Sequence, residues 1–320
     1  MIKSIIFYLK KYSFLLGIFL FVIILIRTDL GSVLVNIKNV KFSYLSLAAL
    51  FSFPVLLIKG FCWNYIKKIQ NIHYNLRDSF LMYGAGLYIG GITPGRVGEI
   101  SRALYLKRDG HSFGKSMVSL VLDRLSDIIF LLILLLFGSL FVFDFSYQQI
   151  LIFITIIFLL FFLFFIYLKL NITKNFLRKL FYFFIPIKYQ KSWKINFRNF
   201  VSDIKIYKFR NYLIVFLLTV LSWFFCYIQI FITARSAGIV NVPFLYLSVV
   251  FAIISFINLI PVSILGIGTR ETTLIFFLSP FLILKEQIIV FSSLILLIYL
   301  FTVLIGLICW LIKPISISDQ

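Results

Sequence analysis

Two stretches, Ile128 to Phe143 and Ile150 to Leu168, are almost unbroken hydrocarbon. A helix needs roughly 20 consecutive apolar residues to cross a bilayer core of about 30 Å, and runs approaching that length recur along the chain. A membrane β-barrel would instead show alternating segments of about ten residues, which these runs do not. With 62% hydrophobic and 13% charged residues and a mean hydropathy of +1.07 over 320 residues, the chain has too little polar surface for a water-soluble fold. The sequence therefore predicts an all-α, polytopic integral membrane protein. Its 40 Phe are explained as lipid-facing filler. Cys62, Cys226 and Cys309 are scattered with no CxxC, and His73 and His111 lack neighbouring ligands, so neither a disulfide framework nor a metal site is expected.

A net charge of +20 on a soluble chain would suggest nucleic acid. Here the bases cluster between apolar runs, so the expected partner is the anionic cytoplasmic leaflet, at about 1 kcal/mol per basic residue near the surface. Lys3, Lys10 and Lys11 precede an uncleaved first span at about Tyr12 to Ile26, with its N-terminus in the cytoplasm. A second span at Phe42 to Cys62 carries Lys59, read as snorkelling to the interface, and leads to Lys67, Lys68 and Arg77 on the cytoplasmic side. Gly114 to Phe143 and Ile150 to Leu168 go out and back. Residues 170–211 then hold Lys174, Arg178, Lys179, Lys188, Lys191, Lys194, Arg198, Lys205, Lys208 and Arg210 against Asp203 alone, a basic cytoplasmic interfacial loop. Spans at about Asn211 to Ala234, Phe244 to Ile260 and Ile288 to Ile312 follow. About eight membrane segments form a single domain over 1–320, located in the cell membrane.

Two segments break the pattern. Phe80 to Ile92 is short, contains Gly84, Gly86, Gly90 and Gly91, and has bases on both flanks, so it is expected to be re-entrant. It leads into Thr93-Pro94-Gly95-Arg96-Val97-Gly98-Glu99, with Arg102 three residues on. The second break, Pro261 to Glu271, contains Gly266, Gly268, Arg270 and Glu271. Proline suits a helix first turn, whose free amides favour an anion. Arginines add a charged fork that matches phosphate oxygens, and a glutamate three residues from an arginine holds it in place. Pro94, Gly95, Gly98, Pro261, Gly266 and Gly268 are accordingly read as shaping the backbone, and Arg96, Glu99, Arg102, Arg270 and Glu271 as substrate-binding. Asp123 and Asp127 share a helical face beside Arg124, which offers an ion pair and completes the candidate site. The expected arrangement brings the two breaks together, with Arg96 or Arg102 pairing Glu271 and Arg270 pairing Glu99.

The Thr93-to-Glu99 stretch with Arg102, the Val121-Leu122-Asp123-Arg124-Leu125-Ser126-Asp127 stretch, and Leu259-Ile260-Pro261 with Gly266-Ile267-Gly268-Thr269-Arg270-Glu271 resemble, in this order, the lysylphosphatidylglycerol synthase transmembrane-region family, also called the flippase-like domain family. The Leu57-Ile58-Lys59-Gly60-Phe61-Cys62-Trp63 end of the second span is similar too. The family commonly places a proline-glycine pair before its second glutamate motif, where this chain reads Ile264-Leu265-Gly266.

The resemblance implies a flippase or lipid transporter that binds an anionic phospholipid, or a polyprenyl or glycolipid, by its phosphate-bearing headgroup and moves it between leaflets. No cofactor is expected and no nucleic acid. A glycosyltransferase or lipid-modifying enzyme is the implied protein partner. Only seven residues follow Lys313, so the family's soluble aminoacyl-transferase domain is not expected and an enzymatic role is not carried over. No GxxxxGK[ST] occurs, since Gly110 to Ser116 is one residue short of it. The alternatives are a membrane enzyme acting on a lipid-linked substrate, with Asp123, Asp127 or Glu99 as acid or base, and an accessory partner of a glycosyltransferase.

Overall fold

The computed structural model describes residues 30–93, 98–142, 206–258 and 265–314. Among these residues the regular structure is all helical: α1 (Leu30–Lys38), α2 (Phe42–Leu50), α3 (Ser52–Ile69), α4 (Leu76–Gly91), α5 (Ser101–Arg108), α6 (Phe113–Val142), α7 (Phe209–Ser236), α8 (Phe244–Ile257), α9 (Thr269–Leu278) and α10 (Lys285–Ile312). The segments at Tyr12 to Ile26 and Ile150 to Leu168, and most of the basic 170–211 loop, lie outside the described residues.

Among the described residues, four stretches are long and apolar enough to cross a membrane: Phe42–Ile69, Phe113–Val142, Phe209–Ser236 and Lys285–Ile312. The first includes the break between α2 and α3. Pro54 explains its position, because a helical proline lacks an N–H and its ring collides with the carbonyl four residues back, at Leu50, where α2 ends. The span continues to Ile69, beyond the Cys62 boundary expected from the apolar run. Antiparallel packing of α7 on α2 and α3 is fixed by hydrogen bonds along their length. The Lys41 amide donates to the Ser236 carbonyl (3.0 Å), Gln229 Nε2 to the Ala48 carbonyl (2.8 Å), and Tyr207 Oη to the Ile66 carbonyl (2.9 Å).

The bundle thus has two ends. One gathers the C-termini of α3 and α10 and the N-termini of α6 and α7; the other gathers the opposite termini. Two helical hairpins enter this frame, one from each end. In the first, α4 runs inward and α5 returns. Their outer ends are tied by Tyr74 Oη, which donates to Asp109 Oδ2, and both reach the end of α10, where Lys313 Nζ donates to Asp78 Oδ1 (2.8 Å) and Tyr105 Oη to the Lys313 carbonyl. Burial first, and then the Asp109 carboxylate, raise the pKa of Tyr74, which keeps this donor protonated.

The second hairpin is α8 and α9. At its outer end Tyr246 Oη donates to the Phe277 carbonyl (2.6 Å) and stacks edge-on against Phe281 at 4.7 Å. At its inner end Asn258 lies beside Gly266. The expected span from Phe244 to Ile260 is therefore replaced by a 14-residue helix, about 21 Å long, whose chain doubles back. Length decides this, because a helix that short does not reach across about 30 Å.

Glycines that read as breakers in the sequence lie inside a regular α4. A Cβ on Gly84 would come within 2.7 Å of Cys309 Sγ, one on Gly306 within 2.6 Å of the Gly84 carbonyl, and one on Gly91 within 2.8 Å of Val303. These positions let α4 press its backbone against α10, the contact by which small residues join helices in a membrane. Gly91 meets α10 at Tyr299 and Val303, whereas Arg270 of the second hairpin meets it at Ser292. The two tips thus approach the middle of α10 from opposite ends, separated along it by seven to eleven residues, or about 10–17 Å at 1.5 Å per residue.

Candidate functional site

Where the first hairpin meets α3 and α6, six charged side chains form one network. Lys59 Nζ, from α3, donates to Asp123 Oδ1 (3.3 Å) and to Asp127 Oδ1. Arg102 Nη1 donates to Asp123 Oδ2 (2.9 Å) and its Nη2 to Glu99 Oε2 (3.0 Å). Arg124 Nη2 lies 2.7 Å from the same Glu99 oxygen, and its Nη1 lies 3.4 Å from Asp127 Oδ2. Three cations face three carboxylates, so these six side chains are formally neutral.

Helix geometry explains the assembly. Asp123 and Asp127, one turn apart, present both carboxylates on one side of α6. Arg102 sits on the second residue of α5, and Glu99 occupies the 3-10 turn 98–100 just before it. The hairpin closes tightly enough to deliver them because Gly86 and Gly90 lack side chains. A Cβ on Gly86 would lie 2.4 Å from Arg102 Cγ, and one on Gly90 2.5 Å from Glu99 Cγ.

The surroundings hold the cations by other means as well. The Arg102 guanidinium stacks 4.6 Å from the Tyr83 ring centre and 5.6 Å from that of Trp63, while Trp223 Nε1 donates to Asp127 Oδ1 (2.9 Å). Asp123 lies ten residues into α6, about 15 Å from the helix start, so the network sits deep in the bundle. Its side chains are not equally enclosed. Asp123 is 0% exposed and Arg102 1%, whereas Arg124 is 35% exposed and forms the accessible face. The Nε atoms of Arg102 and Arg124 are buried and have no hydrogen-bond partner among the described residues.

Lys59 does not snorkel. Two aspartates on a neighbouring helix hold its ammonium inside, and a lysine in the middle of an apolar span, ten residues before that span ends, is the sequence signal for this. Lys67 departs from expectation too. Rather than facing water as a topological marker, it is fully buried, donating to Ser79 Oγ (2.9 Å) and facing the Trp63 ring at 3.8 Å and the Tyr74 ring at 4.5 Å. Trp63, Tyr83 and Trp223 carry no distinguishing pattern in the sequence.

The second tip is built differently. Leu265, Gly266 and Gly268 have positive φ, of 57°, 76° and 84°. The Gly268 amide donates to Glu271 Oε2 at 2.5 Å, capping α9. Arg270 Nη2 donates to Glu271 Oε1 (3.0 Å) and Arg270 Nε to Ser292 Oγ (2.6 Å), and Ser292 in turn donates to Glu271. All three are buried.

For the described residues the expected cross-pairing is therefore corrected: Arg102 pairs with Glu99 and Asp123, and Arg270 with its neighbour Glu271. The physical reason is proximity, because each hairpin carries both signs of charge and satisfies them before the other tip comes within reach. Arg124 and Asp127 do form the expected ion pair. Pro94, Gly95, Arg96 and Pro261 lie outside the described residues. Among those described, no three His, Cys, Asp or Glu side chains gather as a metal site would require.

The chain is similar to a UPF0104 membrane protein of Methanocaldococcus jannaschii, 25% identical over 297 residues, which are 87% of this chain and 85% of that one. No solved structure matches. The family model for the lysylphosphatidylglycerol synthase TM region matches residues 12–306, which include both hairpins, all three helices of the charge network and every candidate site residue. On that match the chain belongs to the lysylphosphatidylglycerol synthase TM region family.

Proposed function

We propose that the protein binds the phosphate-bearing headgroup of a lipid at the Glu99–Arg102–Arg124 face of the network and moves that lipid between leaflets. The observation that carries this reading is the placement of six charges deep in an apolar bundle, with one arginine of the six accessible. A charge at the centre of a membrane helix costs about 2.5–3.5 kcal/mol even on insertion scales, and such residues face internal paths or polar ligands rather than lipid. The two opposed hairpins are read as re-entrant elements that enter from the two membrane surfaces and stop near the midplane, a geometry suited to access from either side.

In this reading the bundle end bearing Lys68, Arg77, Lys107, Arg108, Lys115, Lys208, Arg210 and Lys313 is cytoplasmic, against Lys38, Lys41, Arg235 and Lys285 at the other. That orientation places the N-terminus in the cytoplasm of a cell-membrane protein. Arg96, three residues before Glu99 in sequence, joins the headgroup path, and Arg270 and Glu271, bound to each other and to Ser292, shape its far end. The substrate class is an anionic phospholipid or a polyprenyl-phosphate glycolipid, and an enzyme that makes or uses that lipid is the natural partner.

The test is transbilayer movement in proteoliposomes, read as dithionite quenching of a fluorescent phosphatidylglycerol. Wild type should expose the inner-leaflet probe within the assay, and Arg124→Ala should reduce the rate about tenfold, the cost of about 1.4 kcal/mol of lost headgroup binding. Equal rates in wild type, Arg124→Ala and protein-free vesicles would end this reading.

A further inference from the structure

Resting on that reading, we infer that Glu99 is a built-in stand-in for the lipid phosphate: its carboxylate occupies the anion's seat between Arg102 and Arg124, and a phosphodiester loads by displacing it. A single oxygen, Glu99 Oε2, lies 3.0 Å from Arg102 Nη2 and 2.7 Å from Arg124 Nη2. One oxygen held between guanidinium groups from two helices is also the geometry by which arginines grip phosphate.

Glu99 differs from the other two carboxylates of the network. Asp123 and Asp127 are rooted within α6, and both also bind Lys59. Glu99 stands on the short turn at the tip of the α4–α5 hairpin, is 12% exposed, and reaches its arginines only because Gly90 leaves room for its side chain. It is the carboxylate that leaves with the least disturbance to the helices.

The donors left over point the same way. Both arginines keep an Nε–H without a partner among the described residues, and Arg102 is 1% exposed, so this is a buried donor rather than one facing water. A carboxylate satisfies only the terminal nitrogens here. A phosphodiester presents two non-bridging oxygens that share one negative charge and two ester oxygens, enough for the Nη2 pair and the unused Nε–H groups.

Charge favours exchange over addition. The six-membered network is neutral, and a phosphodiester replacing one carboxylate leaves it so. Because Glu99 is carried on the hairpin tip, loading the headgroup frees the tip, and releasing it lets the carboxylate close the seat again.

The experiment uses the full-length protein in detergent with dihexanoylphosphatidylglycerol, inorganic phosphate, and dihexanoylglycerol as the phosphate-free control, binding being read by native mass spectrometry and thermal shift. Glu99→Gln should bind dihexanoylphosphatidylglycerol about tenfold more tightly than wild type, because a competing charge equivalent to about 1.4 kcal/mol has been removed. Glu286→Gln, the same charge change in the first turn of α10 and away from the headgroup path, should bind as wild type does. A gain that appears equally with inorganic phosphate supports the exchange and assigns the seat to free phosphate. A folded Glu99→Gln that binds no tighter than wild type overturns the inference, as does an equal gain in Glu286→Gln or a gain for dihexanoylglycerol. If wild type and every variant bind neither phosphate compound, the headgroup reading itself falls and takes this one with it. Should Glu99→Gln not fold, Ile100→Cys in a Cys226→Ser chain answers the question. Ile100 is 38% exposed beside Glu99, and its labelling rate should change severalfold when wild-type Glu99 leaves its seat; an unchanged rate at saturating dihexanoylphosphatidylglycerol overturns the inference.

Discussion

The two hairpin tips use the same residue types to opposite ends. At the α8–α9 tip, Arg270, Glu271 and Ser292 satisfy one another, the Gly268 amide completes the carboxylate, and all three side chains are buried. At the α4–α5 tip the charges belong to three elements at once: Glu99 serves arginines on two helices, and Asp123 serves a lysine and an arginine. The Arg270–Glu271 pair lies on one helix and keeps its contact when the neighbouring helices shift. A shared network changes when any contributing helix shifts, so the first tip is the one able to link ligand binding to movement.

The largest effect expected from this difference is at Asp123. Its removal as Asp123→Ala leaves three cations facing two carboxylates, with Lys59 held by Asp127 alone and Arg102 by Glu99 alone, and breaking a buried ion pair from one side costs about 3–5 kcal/mol. Chemical or thermal unfolding in detergent should show this loss, and Lys59→Met combined with Asp123→Ala should recover part of it. If the double variant is no more stable than the single one, the charges are not mutually dependent and the contrast between the tips dissolves.

Glycines sharpen the comparison next. At the first tip they provide room: a Cβ on Gly98 would lie 2.3 Å from the backbone oxygen of Ile89, which has no rotamer with which to yield. Gly98→Ala should therefore cost about 1–3 kcal/mol as an overpacking change. At the second tip the demand is conformational, since Gly268 has a φ of 84°. Gly268→Ala should cost about 1–3 kcal/mol for a side chain at a sparsely populated positive φ, and Gly268→Asn about as much, because asparagine eases only the αL region and Gly268 has a ψ of −51°. Melting temperatures of the three variants decide this; a Gly268→Ala as stable as wild type would remove the backbone explanation.

Much of this is legible in the amino-acid sequence. Apolar run length points to the helical membrane class, and the paired aspartates beside Arg124 announce an ion pair because i, i+3 and i, i+4 spacing is strictly local. Glu99 with Arg102 is visible for the same reason. Partnerships across helices are not. Nothing in the sequence places Lys59 opposite residues 64 and 68 positions away, so its charge reads as snorkelling. Lys67 misleads in the same way, because a basic residue at the end of a span counts as a topological marker whether it faces water or a tryptophan. The glycines of α4 read as breakers because intrinsic propensity is all that a lone sequence offers, whereas packing against Gly306 and Cys309 makes them an asset. Phe244 to Ile260 looks like a span because its apolar run does not reveal that the chain turns back.

A smaller effect separates the two tips through one hydroxyl. Ser292 accepts from Arg270 Nε and donates to Glu271, so Ser292→Ala removes two bonds from a motif that still keeps its direct Arg270–Glu271 contact. A loss of about 1–2 kcal/mol is expected, the scale of hydrogen bonds to charged groups with partial compensation. Transbilayer movement should fall no more than stability does. A selective loss of movement in a stable Ser292→Ala would show that the second tip handles substrate directly, as the first is proposed to.

The smallest effect belongs to the outer end of the first hairpin, where Lys313 Nζ meets Asp78 Oδ1 at 2.8 Å. Asp78 is 38% exposed and Lys313 22%, so solvent screens the pair and its worth is at most about 1 kcal/mol. Asp78→Asn should lower the melting temperature slightly in low salt and hardly at all near 1 M, where the Debye length shrinks to about 3 Å. The hairpin does not depend on this pair alone, because Tyr74 holds Asp109 and Tyr105 holds the Lys313 carbonyl from the same end. A large, salt-independent loss in Asp78→Asn would mean that the outer tether, rather than the charge network at the tip, positions the hairpin, and the contrast between the two tips would then have to be rewritten around their bases.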